Sequence, residues 1–223
     1  MLSFNIWQIL KGAIGKDLNK FGLPVFLNEP LSANQRFCEN YQYVDLINNA
    51  SVEPNPYLRL AYCGIFCIGG FAMDTNRKQK FFNPLLFETF EYVDNDRNFR
   101  YFSEQVSHHP AITATYAEGK NWTLFSNFNA QLHIRLSGKL DIFNLGRTYI
   151  TFKNFNDNVS FNKPLCVVRN LIFGNLHCDM EGTFEVKNDA GDTCEIEMIP
   201  STTGTIGNIK GFAKCKIMKI LIL

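Results

Sequence analysis

The hydrophobic period of the chain changes once, near Leu85, and that single change limits the fold more than any other feature. Up to that point apolar residues recur at helical spacing, and beyond it they alternate. Helices followed by runs of strands, rather than strands and helices in alternation, predict an α+β architecture with an antiparallel sheet and not a doubly wound parallel one. Phe99-Arg-Tyr-Phe-Ser, Leu132-His-Ile-Arg-Leu, Tyr149-Ile-Thr-Phe and Gly182-Thr-Phe-Glu-Val read as strands. Asp94-Asn-Asp, Glu118-Gly119, Ser137-Gly138 and Asn188-Asp-Ala-Gly191 supply turn residues between them. Many short strands punctuated in this way form a curved antiparallel sheet or barrel.

The first part of the chain carries helix signals of uneven strength. Asn5-Ile-Trp-Gln8 resembles a capping box, and behind it Ile6, Leu10, Ala13 and Ile14 fall on one stripe with Trp7 and Leu18 alongside. Gly12 and Gly15 weaken this element. Two readings stay open for it: a docked N-terminal helix, or a mobile lid that touches membranes. Gly22 to Pro30 breaks the helix and predicts extended chain. Ser32-Ala-Asn-Gln35 is a second capping box, and Phe37, Tyr41 and Val44 continue at helical spacing. Asn55-Pro56 offers an N-cap followed by proline at the first helical position. Leu58 to Met73 is apolar nearly all round, which predicts a deeply buried helix, and Gly64, Gly69 and Gly70 within it predict close backbone approach.

Composition excludes several classes of function. A chain of 223 residues with 46 % hydrophobic and 19 % charged residues holds a real core and makes one domain or a large piece of one. The net charge of +1 argues against a dedicated nucleic-acid binder. Aromatic residues at 14 %, with 21 Phe, suit a β-rich core or a lined apolar cavity. Cys38, Cys63, Cys67, Cys166, Cys178, Cys194 and Cys215 follow no metal-ligand spacing, and no C-x-x-C pair occurs, so they read as reduced packing thiols rather than a zinc site. No basic n-region marks Met1 to Trp7 as a signal peptide, and the apolar run Ala61 to Met73 is too short to span a bilayer. The N-x-[ST] triplets at Asn49, Asn121 and Asn158 read as chance matches in that setting.

The segment Glu104-Gln-Val-Ser-His-His-Pro110 holds the chemistry. Adjacent histidines on a strand point to opposite faces, so both address one ligand only where the strand ends or kinks, as Pro110 allows. Two imidazoles near one point suit a metal or a phosphate. A metal would need more ligands, and the remaining histidines, His133 and His177, stand at no suitable spacing. Ser107 beside His108 could form a nucleophile–base pair, yet no G-x-S-x-G elbow surrounds it. Spacing alone leaves these readings open beside a purely structural pair.

The same string resembles the signature of the oxysterol-binding protein family. Lys80-Phe-Phe-Asn-Pro-Leu-Leu-Phe-Glu-Thr89 is similar to the family's K-P-F-N-P-L-L-G-E-T, with Phe81 in place of Pro and Phe87 in place of Gly; Ala111 stands where a second proline is usual. Leu23-Pro-Val-Phe-Leu-Asn-Glu-Pro-Leu31, Asn55-Pro-Tyr-Leu-Arg59, Asn170-Leu-Ile-Phe-Gly174 and Gly191-Asp-Thr-Cys194 resemble further family segments in the family's order. The resemblance implies a lid at 1–29, a helical segment at 30–78, and at 79–215 an incomplete antiparallel β-barrel enclosing an apolar lipid tunnel. Residues 216–223 match nothing and read as a tail. By the same resemblance Lys80, Asn83, His108 and His109 hold the phosphorylated head group, while Trp7, Leu10, Leu23, Val25, Phe26 and Phe82 line the lid and tunnel. The chemistry fits: a lysine point charge, an amide donor and imidazolium N–H groups all suit phosphate, which in turn favours the protonated imidazole, so affinity should weaken as pH rises. Burying a whole sterol would yield on the order of 10 kcal/mol. The implied function is binding and transfer of sterol and/or phosphatidylinositol 4-phosphate between membranes by a cytoplasmic, peripherally associated protein. No catalytic residue, cofactor or metal is implied.

The family's domain is nearly twice as long as this chain. A fragment or incorrect gene model, a truncated product that no longer transfers lipid, and a functional short form completed by another chain all remain open. A trough with part of its wall missing would leave lipid wet, so the 223-residue chain by itself is expected to bind lipid poorly and transfer little. Its last strand would be an open apolar edge.

Overall fold

Local chemistry sets the helical part. Ser32 N donates to Gln35 Oε1 at 3.0 Å, completing the capping box that opens α1 (Ala33–Cys38). A 3-10 turn over Glu39–Tyr43 leads into α2 (Asp45–Ala50), so the helical spacing of Phe37, Tyr41 and Val44 belongs to three short turns and not to one helix. Asn55 Oδ1 accepts from Tyr57 N at 2.9 Å and starts α3 (Pro56–Ala72). In the computed structural model, residues 25–72, 77, 79–172, 176–198, 211–215 and 219–222 are described. Trp7, Leu10 and Leu23, assigned to the lid from sequence, lie outside them.

No residue from Pro56 to Phe71 is fully exposed, in line with the all-round apolar pattern. Leu60, Cys63, Phe66 and Cys67 pack on the sheet. A Cβ at Gly64 would sit 2.3 Å from Ile196 Cδ1, so the helix passes close to the strands there and a larger residue would displace Ile196. Burial pushes the Cys67 thiol up to about 12, and Cys38, between buried packing and the Glu39 carboxylate, also rises to about 12.

Two polar anchors fasten the helices to the sheet. Arg59 donates from Nε and Nη2 to Asp157 Oδ2 at 3.0 and 2.7 Å and from Nη1 to the carbonyls of Glu53 and Pro54; both side chains are buried. The fully buried Trp122 donates from Nε1 to Asn48 Oδ1 at 2.8 Å.

The chain then forms strands in succession. β1 (Asn28–Ser32) pairs with β2 (Lys80–Phe82) in parallel, a small sheet of its own. The extended chain expected over Gly22 to Pro30 runs on to Ser32, at the start of the segment read as helical, and returns to meet Lys80 and Phe82. The main sheet comprises β3 (Thr89–Asp94), β4 (Phe99–His108), β5 (Ala111–Gly119), β6 (Trp122–Arg135), β7 (Lys139–Asn144), β8 (Arg147–Phe152), β9 (Asp157–Asn162), β10 (Leu165–Arg169), β11 (His177–Asn188), β12 (Thr193–Met198), β13 (Gly211–Cys215) and β14 (Lys219–Ile222). All its pairings are antiparallel, in the curved, partly closed form expected of the α+β class. Lys219–Ile222, read from sequence as part of an unmatched tail, pairs with β13 as an edge strand.

The sheet closes on itself at one place. The first half of β6 pairs with β8 and its second half with β7. β11 likewise meets β10 with its first half and β9 with its last residues. Since β7 pairs with β10 and β8 with β9, six strands form a ring around the fork. Among the described residues no helix is long and apolar enough to cross a membrane.

Candidate functional site

Inward and outward residues alternate regularly along β4 from Phe99 to Gln105, with Phe99, Tyr101, Ser103 and Gln105 buried. The pairing then slips. Gln105 faces Thr113, but Ser107 faces Ile112 and His108 faces Ala111, so Val106 is an extra residue, a β-bulge. Partners in an antiparallel ladder share a face, and Ala111 and Thr113 are two apart on β5. His108 therefore shares the inward face of Gln105, although it lies three positions further on and an unbroken strand would turn it outward.

Gln105 holds this bulge. It is 1 % exposed. Its Nε2 donates to Ser107 O at 2.8 Å, and its Oε1 accepts from Thr113 Oγ1 at 2.6 Å. Its backbone is bonded too, with Phe87 N donating to Gln105 O at 2.9 Å and Gln105 N to Glu88 O at 3.0 Å. Gln105 and Thr113 are not among the site residues expected from the sequence. The available signal was an amide on the inward phase of a strand, which needs an internal partner.

His109 and Pro110 form the two-residue connection to β5. The His108 and His109 rings lie 4.8 Å apart, edge to face. His109 is exposed and His108 half-buried, and His108 Nδ1 is a buried nitrogen without a hydrogen-bond partner. Lys80 and Asn83 form the second pair, with Nζ donating to Asn83 Oδ1 at 2.8 Å and to Phe81 O at 3.2 Å. Although Lys80 as a whole is exposed, protein mass around its ammonium desolvates it and lowers its pKa below the ordinary lysine value.

Among the described residues no hydrogen bond joins the lysine pair to the imidazole pair, and the two motifs are not the two strands of one hairpin. The β2–β3 connection links them. Residues 83–88 lead from β2 to β3, and the Phe87/Glu88 bonds to Gln105 seat that connection three residues before His108. Phe81 reinforces this. Its ring lies 5.4 Å from that of Phe37 and 6.2 Å from that of Phe128, and Phe37 and Phe128 are 4.7 Å apart. Phe128 is the β6 partner of Thr113, which holds Gln105. Phe37 and Phe128 also line a narrow cavity of about 40 Å³ between the helices and β5–β6, with Tyr41, Phe66 and Leu124.

Phe82, assigned to the tunnel lining from sequence, turns toward solvent, while Phe81 takes the inward position, as the period of two requires. Val25 and Phe26, in a 3-10 turn before β1, are exposed. Among the described residues no cluster of three potential metal ligands occurs. The arrangement offers cationic and amide donors beside an aromatic wall, a combination suited to an amphiphile with an anionic head.

The family model described as oxysterol-binding protein matches residues 5–219. Oxysterol-binding protein-related protein 3 of Mus musculus is 37 % identical over 198 residues, which are 88 % of this chain and 23 % of that protein. Oxysterol-binding protein-related protein 2 of Homo sapiens is 36 % identical over 199 residues, covering 88 % of this chain and 42 % of that one. Among solved structures, the Osh1 ORD domain in complex with ergosterol is similar with a TM-score of 0.86 at 35 % identity, over 97 % of this chain and 52 % of that one. The Osh3 ORD in complex with PI(4)P from Saccharomyces cerevisiae gives a TM-score of 0.85 at 27 % identity, over 95 % and 57 %. The chain thus spans less than half of these curated relatives and about half of the solved domains.

Proposed function

Because the chain belongs to the oxysterol-binding protein family, we propose that it binds a sterol and the phosphorylated head group of phosphatidylinositol 4-phosphate, and serves their movement between membranes as a peripheral protein. Solved relatives hold ergosterol and PI(4)P. The observation that carries the reading is the bulge at Val106, which turns the unpartnered His108 Nδ1 to the inward face beside His109, while the connection that follows Lys80 and Asn83 is bonded to Gln105 on the same strand. An anionic head group would satisfy that nitrogen and draw on the lysine, the amide and both imidazoles, each charge-assisted bond contributing about 1.5–3 kcal/mol. The aromatic wall of Phe37, Phe81 and Phe128 would meet the apolar part of the ligand.

The test is a double variant, His108→Ala with His109→Ala, titrated with a water-soluble short-chain phosphatidylinositol 4-phosphate and, separately, with a labelled sterol. We expect phosphoinositide affinity to fall at least about tenfold, the equivalent of one lost charged bond, and sterol affinity to stay. A folded variant that loses both ligands equally contradicts the assignment. Liposome-to-liposome transfer of labelled sterol tests the movement between membranes.

A further inference from the structure

The connection between Asn83 and β3 places three large apolar side chains in water. Leu85, Leu86 and Phe87 are 74 %, 47 % and 69 % exposed, and Val106, at the bulge beside them, is 46 % exposed. This is no slack loop tip. Leu85 N donates to Glu88 Oε2 and Glu88 N to Leu85 O, both at 3.0 Å. Asn34 Nδ2 donates to Glu88 O at 2.8 Å, and Phe87 N is bonded to β4.

Phe87 also has φ of 68°, in the left-handed region. A side chain there costs about 1–2 kcal/mol relative to right-handed backbone, and a glycine would carry no such cost. The ring regains little of this by burial, because most of it faces water. A strained, exposed phenyl on a braced turn points to a use outside the fold.

The charges beside the turn suit an anionic surface. Lys80 stands on β2 just before the turn and the exposed His109 just after β4, while the Glu88 carboxylate is engaged by Leu85 N. The next acidic side chains are Glu104, opposite Thr89, and Glu91 farther along β3. Resting on the lipid-ligand reading above, we infer that Leu85–Phe87 is a wedge that enters the interfacial zone of an anionic phospholipid bilayer and seats the rim against the head groups. Apolar groups on a fixed turn beside a lysine gain both burial and attraction there.

The experiment is flotation of the full chain with phosphatidylcholine vesicles containing phosphatidylserine and free of sterol and phosphoinositide. Phe87→Gly removes the phenyl and relieves the backbone, so vesicle partition should fall about tenfold while the urea midpoint holds or rises. A purely structural role would move both downward. Leu85→Ser with Leu86→Ser should lose partition similarly with the backbone at Phe87 unchanged. Val93→Ser, at the far end of β3 and 61 % exposed in the parent, should partition normally. Titration with soluble inositol phosphate separates the two readings: its loss in the parent chain would sink the head-group assignment, while its retention in Phe87→Gly isolates the wedge. Unchanged vesicle partition in Phe87→Gly and in the double serine variant overturns the inference. So does an equal loss in Val93→Ser, or a parent chain that self-associates through Phe87 without vesicles, which would make the turn a protein interface.

Discussion

Replacing Gln105 with methionine keeps the length of the side chain and deletes the amide that pins the bulge. Two hydrogen bonds go, the 2.8 Å bond to Ser107 O and the 2.6 Å bond from Thr113. Each is worth about 1 kcal/mol net, and the Ser107 carbonyl and Thr113 hydroxyl are left to find other partners in a buried setting, so the loss should reach about 2–3 kcal/mol after the methionine regains some apolar burial. For a chain of this size that lowers the melting temperature by roughly 5–10 °C. Thr113→Val alone should cost about 1–2 kcal/mol, and the double variant should fall short of the sum by about 1 kcal/mol, because both remove one shared bond. Urea denaturation of the four proteins measures the cycle. Binding of soluble inositol phosphate should weaken severalfold in Gln105→Met, since His108 keeps its inward aim only while the bulge is held. Strict additivity, or a Gln105→Met stability within about 0.5 kcal/mol of the parent, would refute the claim that this amide fixes the bulge.

Arg59→Ala should destabilise the chain by about 3–5 kcal/mol in urea denaturation, because Asp157 would be left buried and unpaired; paired replacement, Arg59→Met with Asp157→Leu, should recover most of that. Cys38 and Cys67, with thiols at about 12, should resist a thiol-exchange reagent at pH 8 in the native protein and react at once in denaturant; fast native labelling of either would contradict its raised pKa. Asp94 has a carboxyl held below the ordinary value of 3.8, first by the Arg97 backbone N–H. A depressed folded pKa contributes stability above the unfolded value and loses it as pH falls through the folded one. Asp94→Asn should therefore flatten the acid limb of a stability-against-pH curve below about pH 4 and change its slope little at neutral pH.

Local signals in the sequence translated directly where one turn of chain decides the outcome. The Ser32/Gln35 box and the Asn55-Pro56 start needed only their own neighbours, and both stand where the pattern placed them. Alternation from Phe99 onward gave the antiparallel class for the same reason. What escaped was set by distant pairing. β1 and β2 meet across some fifty intervening residues, and nothing in Asn28–Ser32 announces a parallel partner. The phase slip at Val106 is invisible to a period count, because a bulge adds a residue without changing composition. The inward turn of His108 was therefore unreadable, and the pair of histidines drew its meaning from family resemblance rather than from spacing. Phe82 was singled out by resemblance, whereas the period of two at β2 makes Phe81 the more buried of the pair.

The fork described in the sheet also orders events in time. β6 can pair with β5, β7 and β8 as soon as each leaves the ribosome, since all are close in sequence. The two arms, β7–β10 and β8–β9, share no other strand until β11 arrives and binds both. Until Asn188 has emerged, the nascent chain carries two unclasped ribbons whose exposed edges can pair with a neighbouring polypeptide. Closure by β11 then withdraws both edges in one step. Growth and folding are thus tied together at one late strand, and a pause in translation just upstream of His177 would prolong the interval in which the chain is most prone to aggregate.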